Sequence, residues 1–322
     1  MRIRKRPCRA GRGNVRAAWH DYRNRAIYHI TLKKLPLAPR FCEIIGDCRQ
    51  KGDPKNGPRA FNSPVGKCVK EALRVIPTFE PAARILQYAV MPDHLHFVLD
   101  VGRNSAHALG EIIVAYKIEV KNRIRAIQTD DNSSPLVFEE GYNDQIITAR
   151  RSLDVVIRYV RDNPWRLAVR KKNPEIFRRV NRIKINGIEM EAYGNLSLLR
   201  NPFKEPVLYH RRYSYDVWAK WVSFYNYTAA NGGVLVSAAI HPNEKAVMNT
   251  NADNGAKCIR ITNRPFDERF KPAGKEFDLC AEGRLLILHP LSLPRTDSSA
   301  SISRQCALAM NRIAETIGRL NL

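Results

Sequence analysis

Acidic side chains are scarce in this 322-residue chain: 31 Asp and Glu stand against 54 Lys and Arg, a formal net charge of +23. Such an imbalance points to polyanionic partners, nucleic acid first and an anionic membrane surface second. Cysteine pairs are lacking too. Cys8, Cys42, Cys48, Cys68, Cys258, Cys280 and Cys306 are scattered, and none forms a CxxC pair. An odd, unpatterned set argues for reduced thiols, and against a zinc ribbon or a disulfide scaffold. No apolar run approaches the roughly 20 residues of a membrane span. The opening MRIRKRPCRAGRGNVR lacks the apolar core of a secretory signal. A cytoplasmic, nucleoid-associated protein without a membrane partner is the expectation. An apolar content of 44% is enough for a sizeable core, and the length suits one large domain or two ordinary ones.

What is present begins with charge. Before Ile27 the only acidic residue is Asp21, among Arg2, Arg4, Lys5, Arg6, Arg9, Arg12, Arg16, Arg23 and Arg25. Residues 1–25 read as a basic arm, with Arg2, Arg4, Lys5 and Arg6 as candidate DNA contacts. AIYHITLK (Ala26 to Lys33) alternates as a strand. Residues from about Leu35 to Pro64 are rich in Pro, Gly and Asp and read as an irregular insert. SPVGKCVKEALRVI reads as a helix, with Ser63 as N-cap and Pro64 in its first position. RILQYAVM and HLHFVLDV read as a strand pair joined through a tight turn. HALGEIIVAYKIEVKNRIRAI is an amphipathic helix with Leu109, Ile112, Ile113, Tyr116, Val120 and Ile127 on its stripe. DDNSSP (Asp130 to Pro135) reads as a loop, LVFEEGYNDQIIT as a strand region, and SLDVVIRYVRDNP as a helix capped by Ser152. The first six elements, strand, helix, strand, strand, helix, strand, predict a ferredoxin-like α+β domain over 26–170. Its antiparallel sheet carries helices on one face and leaves the other open.

Within HLHFVLD, residues two apart share a face. His94, His96, Val98 and Asp100 therefore lie on one side, and the uniformly apolar Leu95, Phe97 and Leu99 on the other. Two imidazoles so placed can reach one divalent ion. A bare H-x-H is common, and surface or hydrogen-bonded histidines read the same way. In the last helix Leu153, Val156, Ile157 and Val160 form the core stripe. Tyr159 lies about 100° from its centre, on a flank, and Asn163 falls four positions on. Tyr116 falls in its own helix's stripe and reads as core; Tyr142 reads as packing or DNA contact.

YAVMPDHLHFVLDV resembles the signature of the HUH single-tyrosine transposases, which include the REP-associated tyrosine transposases. VIRYVRDNPWR resembles their second signature, and FEEGYNDQII the segment leading into it. The resemblance covers roughly Ala26 to Arg170. It implies a divalent metal, Mg²⁺ or Mn²⁺, held by His94, His96 and Asn163, with Tyr159 as nucleophile. It further implies DNA cleavage through a covalent 5′-phosphotyrosine, rejoining without ATP, and a single-stranded DNA substrate with hairpin ends. Arg158 and Arg161 are further candidate DNA contacts, and a homodimer is compatible with this reading. The rival reading keeps the fold as a non-cleaving, domesticated binder of DNA hairpins. A two-histidine phosphoesterase would want two H-x-[ST] motifs and is set aside.

Residues 171–204 read as a basic connector. Beyond them, NGGVLVSAAI, PNEKAVMNTNADNGA and KCIRIT read as strand, helix, strand. Asn243 is a candidate cap and Asn254-Gly255 the stop. GRLLILHP reads as a strand, LPRTDSSASIS as a loop and ISRQCALAMNRIAETIGRL as a closing helix. Residues 205–322 are thus expected to form a smaller α/β, Rossmann-like domain, with a weak resemblance to nucleotide or DNA-processing domains. Neither GxGxxG nor GxxxxGK[ST] is present. His241 and His289 read as loop or core histidines.

Overall fold

The computed structural model describes residues 17, 19–103, 105–128, 136–148, 153–268, 270–293 and 302–320. Arg2, Arg4, Lys5 and Arg6, most of the expected arm, the loop Asp130 to Pro135, the cap Ser152 and most of the loop after Leu293 lie outside these residues. Contacts divide the chain into two units, Met1–Val169 and Arg170–Leu322.

The first unit runs β1 (Ala26–Lys33), β2 (Cys42–Ile45), β3 (Arg59–Asn62), α1 (Pro64–Glu71), α2 (Val75–Phe79), β4 (Ala83–Val90), β5 (His94–Val101), α3 (Leu109–Ile127), β6 (Asn143–Ile146) and α4 (Leu153–Arg161). A helix α5 (Asn163–Lys172) follows directly. The main sheet has the order β4-β5-β1-β6, with every pair antiparallel. This order and connectivity are those of a split βαβ arrangement. Alternation decides the inner face: Tyr28, Ile30 and Leu32 of β1 and Leu95, Phe97 and Leu99 of β5 are fully buried. They form one core with Val69, Ile76, Ile112 and Tyr116 from the helices.

Local signals place α1. The Ser63 hydroxyl accepts from the Gly66 N–H at 3.0 Å, and Pro64 opens the helix. Gly66 lies so close to the Phe41 carbonyl that a Cβ there would overlap it. The expected single helix is broken by a 3₁₀ turn at Ala72–Arg74 before α2. The insert after Leu35 is not wholly irregular, because β2 and β3 pair as a hairpin within it. Ile127 is exposed; Ile124, one i+4 step beyond Val120, takes its place on the α3 stripe.

The larger correction concerns the second sheet face, expected to be open. It is covered by α4. Ala89, Met91 and Val98 of the strand pair form a separate cluster with Val156 and Val160 of α4. Val98 is fully buried although it lies on the histidine side of β5. Fully burying a Val is worth about 1.5–3 kcal/mol, so Val98, Val156 and Val160 together favour a covered face over an open one.

The second unit opens with the stretch expected as a connector. Its residues instead form β7 (Arg179–Ile185) and β8 (Ile188–Gly194), an antiparallel pair. Then come β9 (Lys204–Pro206), α6 (Tyr215–Ala230), β10 (Val234–Ser237), α7 (Pro242–Asp253), β11 (Lys257–Ile261), α8 (Lys275–Ala281), β12 (Leu285–Pro290) and α9 (Arg304–Gly318). The six-stranded sheet has the order β7-β8-β12-β11-β10-β9. Strands β9 to β12 are parallel, whereas β8 joins β12 antiparallel, so the sheet is mixed. The parallel strands follow chain order without reversal. They therefore lack the topological switch point at which doubly wound folds bind nucleotides. Val236, Ile259 and Leu286 pack with Met310 and Ile313 of α9. Leu235, Cys258 and Ile287 are buried as well, so both faces are covered. Asn254 caps α7 and Gly255 follows at φ 92°, as expected; the N-cap is His241 rather than Asn243. His289 is buried and bonds the Thr262 carbonyl through Nδ1 at 3.0 Å, which makes it a core histidine.

Candidate active site

The histidine face of β5 lies beside the corresponding face of β1. Thr31 is the cross-strand partner of His96, and Lys33 of His94. The His94 and His96 rings meet edge to face, with centroids 4.4 Å apart. His94 is half-buried at the strand start, and its Nδ1 lies 2.6 Å from the Asp93 carboxylate. His96 is only 8% exposed. Its Nδ1 is 2.9 Å from the Thr31 hydroxyl and 3.1 Å from Nε2 of His29. Burial first, then the neighbouring His94 and His29, pushes the His96 pKa down to about 2. His96 is therefore a neutral imidazole at ordinary pH. On both rings Nδ1 is engaged by the protein, and Nε2 has no hydrogen-bond partner among the described residues, a pattern in which second-layer groups aim a ligating nitrogen.

α4 brings Tyr159 over this cluster. Its ring stands edge to face with His29 at 5.8 Å and with His96 at 6.0 Å between centroids. Among the described residues the hydroxyl has no hydrogen-bond partner. The expected flank position holds, but the flank faces the sheet because α4 lies on this face. Asn163 sits at the joint between α4 and α5. A proline tolerates the first turn of a helix, where its missing N–H is not needed. Pro164 therefore ends α4 and starts α5 at the same point. Asn163 is 5% exposed, and its buried Nδ2 has no partner. A buried amide in that condition is uncommon. The joint is tied down by Trp165, whose indole N–H donates to the Cys48 carbonyl at 3.0 Å, with the Lys51 ammonium 3.7 Å from the ring centre.

The remaining expected site residues lie elsewhere. Arg158 and Arg161 are exposed on the side of α4 turned away from Val156 and Val160, and Arg161 pairs with Asp162 at 3.0 Å. The structure does not bring them to the histidines. Three residues were missed by sequence reasoning. His29 and Thr31 were legible from alternation in IYHITL, where they fall opposite Tyr28, Ile30 and Leu32. Arg166, 7% exposed, holds its guanidinium 5.2 Å from the Tyr159 ring centre; it lies seven residues after Tyr159, two helical turns on.

Among the described residues no group of three His, Cys, Asp or Glu is arranged to hold a metal ion. An ion between His94 and His96 would need a ligand of another kind. The amide oxygen of Asn163 is a donor of that kind, neutral like the two imidazoles.

No family model matches the chain. An uncharacterized protein of Haemophilus influenzae is 24% identical over 174 residues, covering 48% of this chain and 88% of its own length. A REP-associated tyrosine transposase solved bound to a REP hairpin aligns over 46% of this chain and 72% of its own, with 10% identity and a TM-score of 0.29. A candidate transposase from Deinococcus radiodurans R1 aligns over 48% of this chain and 97% of its own, with 16% identity and a TM-score of 0.27. No helix among the described residues is long and apolar enough to cross a membrane.

Proposed function

We propose that the first unit is a metal-dependent DNA strand transferase with Tyr159 as its nucleophile. The observation that carries this reading is the Tyr159 ring set against His96 and His29, its hydroxyl without a partner among the described residues. His94 and His96 through Nε2, with the Asn163 amide oxygen, are the residues that would hold Mg²⁺ or Mn²⁺. Two imidazoles and an amide add no charge, so a bound ion supplies its full positive charge to polarise a phosphodiester oxygen.

The protein groups do the rest. The Tyr159 oxygen attacks phosphorus; one O–P bond forms and the bond to the 3′-oxygen breaks. The phenolic proton is lost to solvent, and the departing 3′-oxygen takes one up as a hydroxyl. The result is a 5′-phosphotyrosine, and attack by another 3′-hydroxyl reverses it without ATP. Arg166 keeps a permanent positive charge beside Tyr159, where negative charge develops. The substrate class is single-stranded DNA, in keeping with the net charge of +23.

Incubation with hairpin-bearing single-stranded DNA and Mn²⁺ tests the proposal. A denaturation-resistant protein–DNA adduct that EDTA suppresses is expected. DNA binding with no adduct under any divalent ion would favour the non-cleaving reading.

A further inference from the structure

The residues proposed for that chemistry all lie in the first unit, and in the second α6 presents an unusual surface. Its buried side is narrow, with Tyr225 the one fully buried ring of the helix. Val217, Trp221 and Phe224, at i, i+4 and i+7, are 40%, 36% and 44% exposed, and Tyr227 is 68% exposed. At about 100° per residue, Lys220 falls between Phe224 and Tyr227 on this same flank. A contiguous exposed apolar patch of this kind marks an interaction site. The question is what covers it.

Three features select the occupant. The exposed side chains are mainly rings, whose flat faces suit stacking, rather than the Leu and Ile of a helix–helix seam. The charge beside them is net positive: Lys220 lies within the patch and Arg211 and Arg212 are exposed just before the helix, against one acid on α6, Asp216, a turn before Lys220 on the same flank. Among the described residues, none of these three basic residues forms an ion pair. A second copy of a chain carrying +23 would meet this surface with like charge.

We infer that this face of α6 is a stacking platform for single-stranded nucleic acid, with bases on Trp221, Phe224 and Tyr227 and the phosphate chain along Lys220, Arg211 and Arg212. The inference extends the proposed function to the second unit, and it needs only the nucleic-acid partner, not the cleavage chemistry.

The test uses the full chain and fluorescein-labelled oligo(dT), which has no hairpin. Trp221→Ala and Phe224→Ala, both at exposed positions, should each weaken binding roughly five- to a hundred-fold. Trp221→Phe should retain most of the affinity, and Lys220→Gln should lower the salt slope by about one. Adduct formation at saturating DNA should be unchanged in all of them, so loss of the adduct in the wild type would count against the proposed function alone. Unchanged oligo(dT) affinity in Trp221→Ala and Phe224→Ala overturns the inference. So does a dimer, seen by sedimentation, that Trp221→Ala dissolves while oligo(dT) affinity stays constant.

Discussion

His29 Nε2 lies 3.1 Å from Nδ1 of His96, which the Thr31 hydroxyl also approaches to 2.9 Å. When His96 carries its proton on Nδ1, both neighbours can accept it, and the Nε2 lone pair is left for an ion. His29→Ala removes one acceptor and should weaken Mn²⁺ affinity by roughly ten- to a hundred-fold. His29→Gln, which keeps an acceptor, should recover part of the loss. Calorimetric titration with Mn²⁺ reads both values, and equal affinities in wild type and His29→Ala would remove His29 from this role.

Asn163 separates function from stability. Its buried Nδ2, without a partner among the described residues, costs about 1–3 kcal/mol of desolvation. Asn163→Leu should therefore melt at or above the wild-type temperature while losing Mn²⁺ binding. Clear destabilisation with intact Mn²⁺ binding would make Asn163 a structural residue of the α4–α5 joint.

Much of this site was legible in the sequence. The period-two pattern of HLHFVLD placed both histidines on one face, and helical phase put Tyr159 and Asn163 on one flank. Alternation could not say which sheet face α4 would cover. Val98 shares a face with the histidines, and its demand for burial decides the matter only once α4 is in place. Residues 179–194 resemble a solvated connector because RVNRIKINGIEMEAYG is charged on its exposed side. β7 is the edge strand of its sheet, and Asn181, Arg182 and Lys184 along it are exposed. α6 gave no helical signal because rings occupy its exposed flank as well as its buried one. Polar and apolar positions are then not separated.

Acid sensitivity should come in part from Glu80, away from the active site. Its carboxylate is 2% exposed and accepts from the backbone N–H groups of Ala82 and His107, both at 3.0 Å. Burial alone would raise its pKa, but the hydrogen bonds from Ala82, His107 and Ser105 outweigh it and hold the pKa at about 2. An unfolded glutamate titrates near 4.3. The folded-state value is depressed, so the stabilisation is full above about pH 4.3 and is lost as pH falls from there toward 2. Glu80→Gln should lose about 1–3 kcal/mol at neutral pH. Its urea midpoint should also fall less steeply than the wild type's below pH 5. Parallel curves for the two proteins would exclude Glu80 as a source of acid sensitivity.

The most direct test of the central claim is peptide mass spectrometry of the protein–DNA adduct formed with Mn²⁺. The account expects one nucleotide-bearing peptide, modified on Tyr159, and no adduct from Tyr159→Phe although that variant still binds the DNA. An adduct on another residue, or one that persists in Tyr159→Phe, would contradict it.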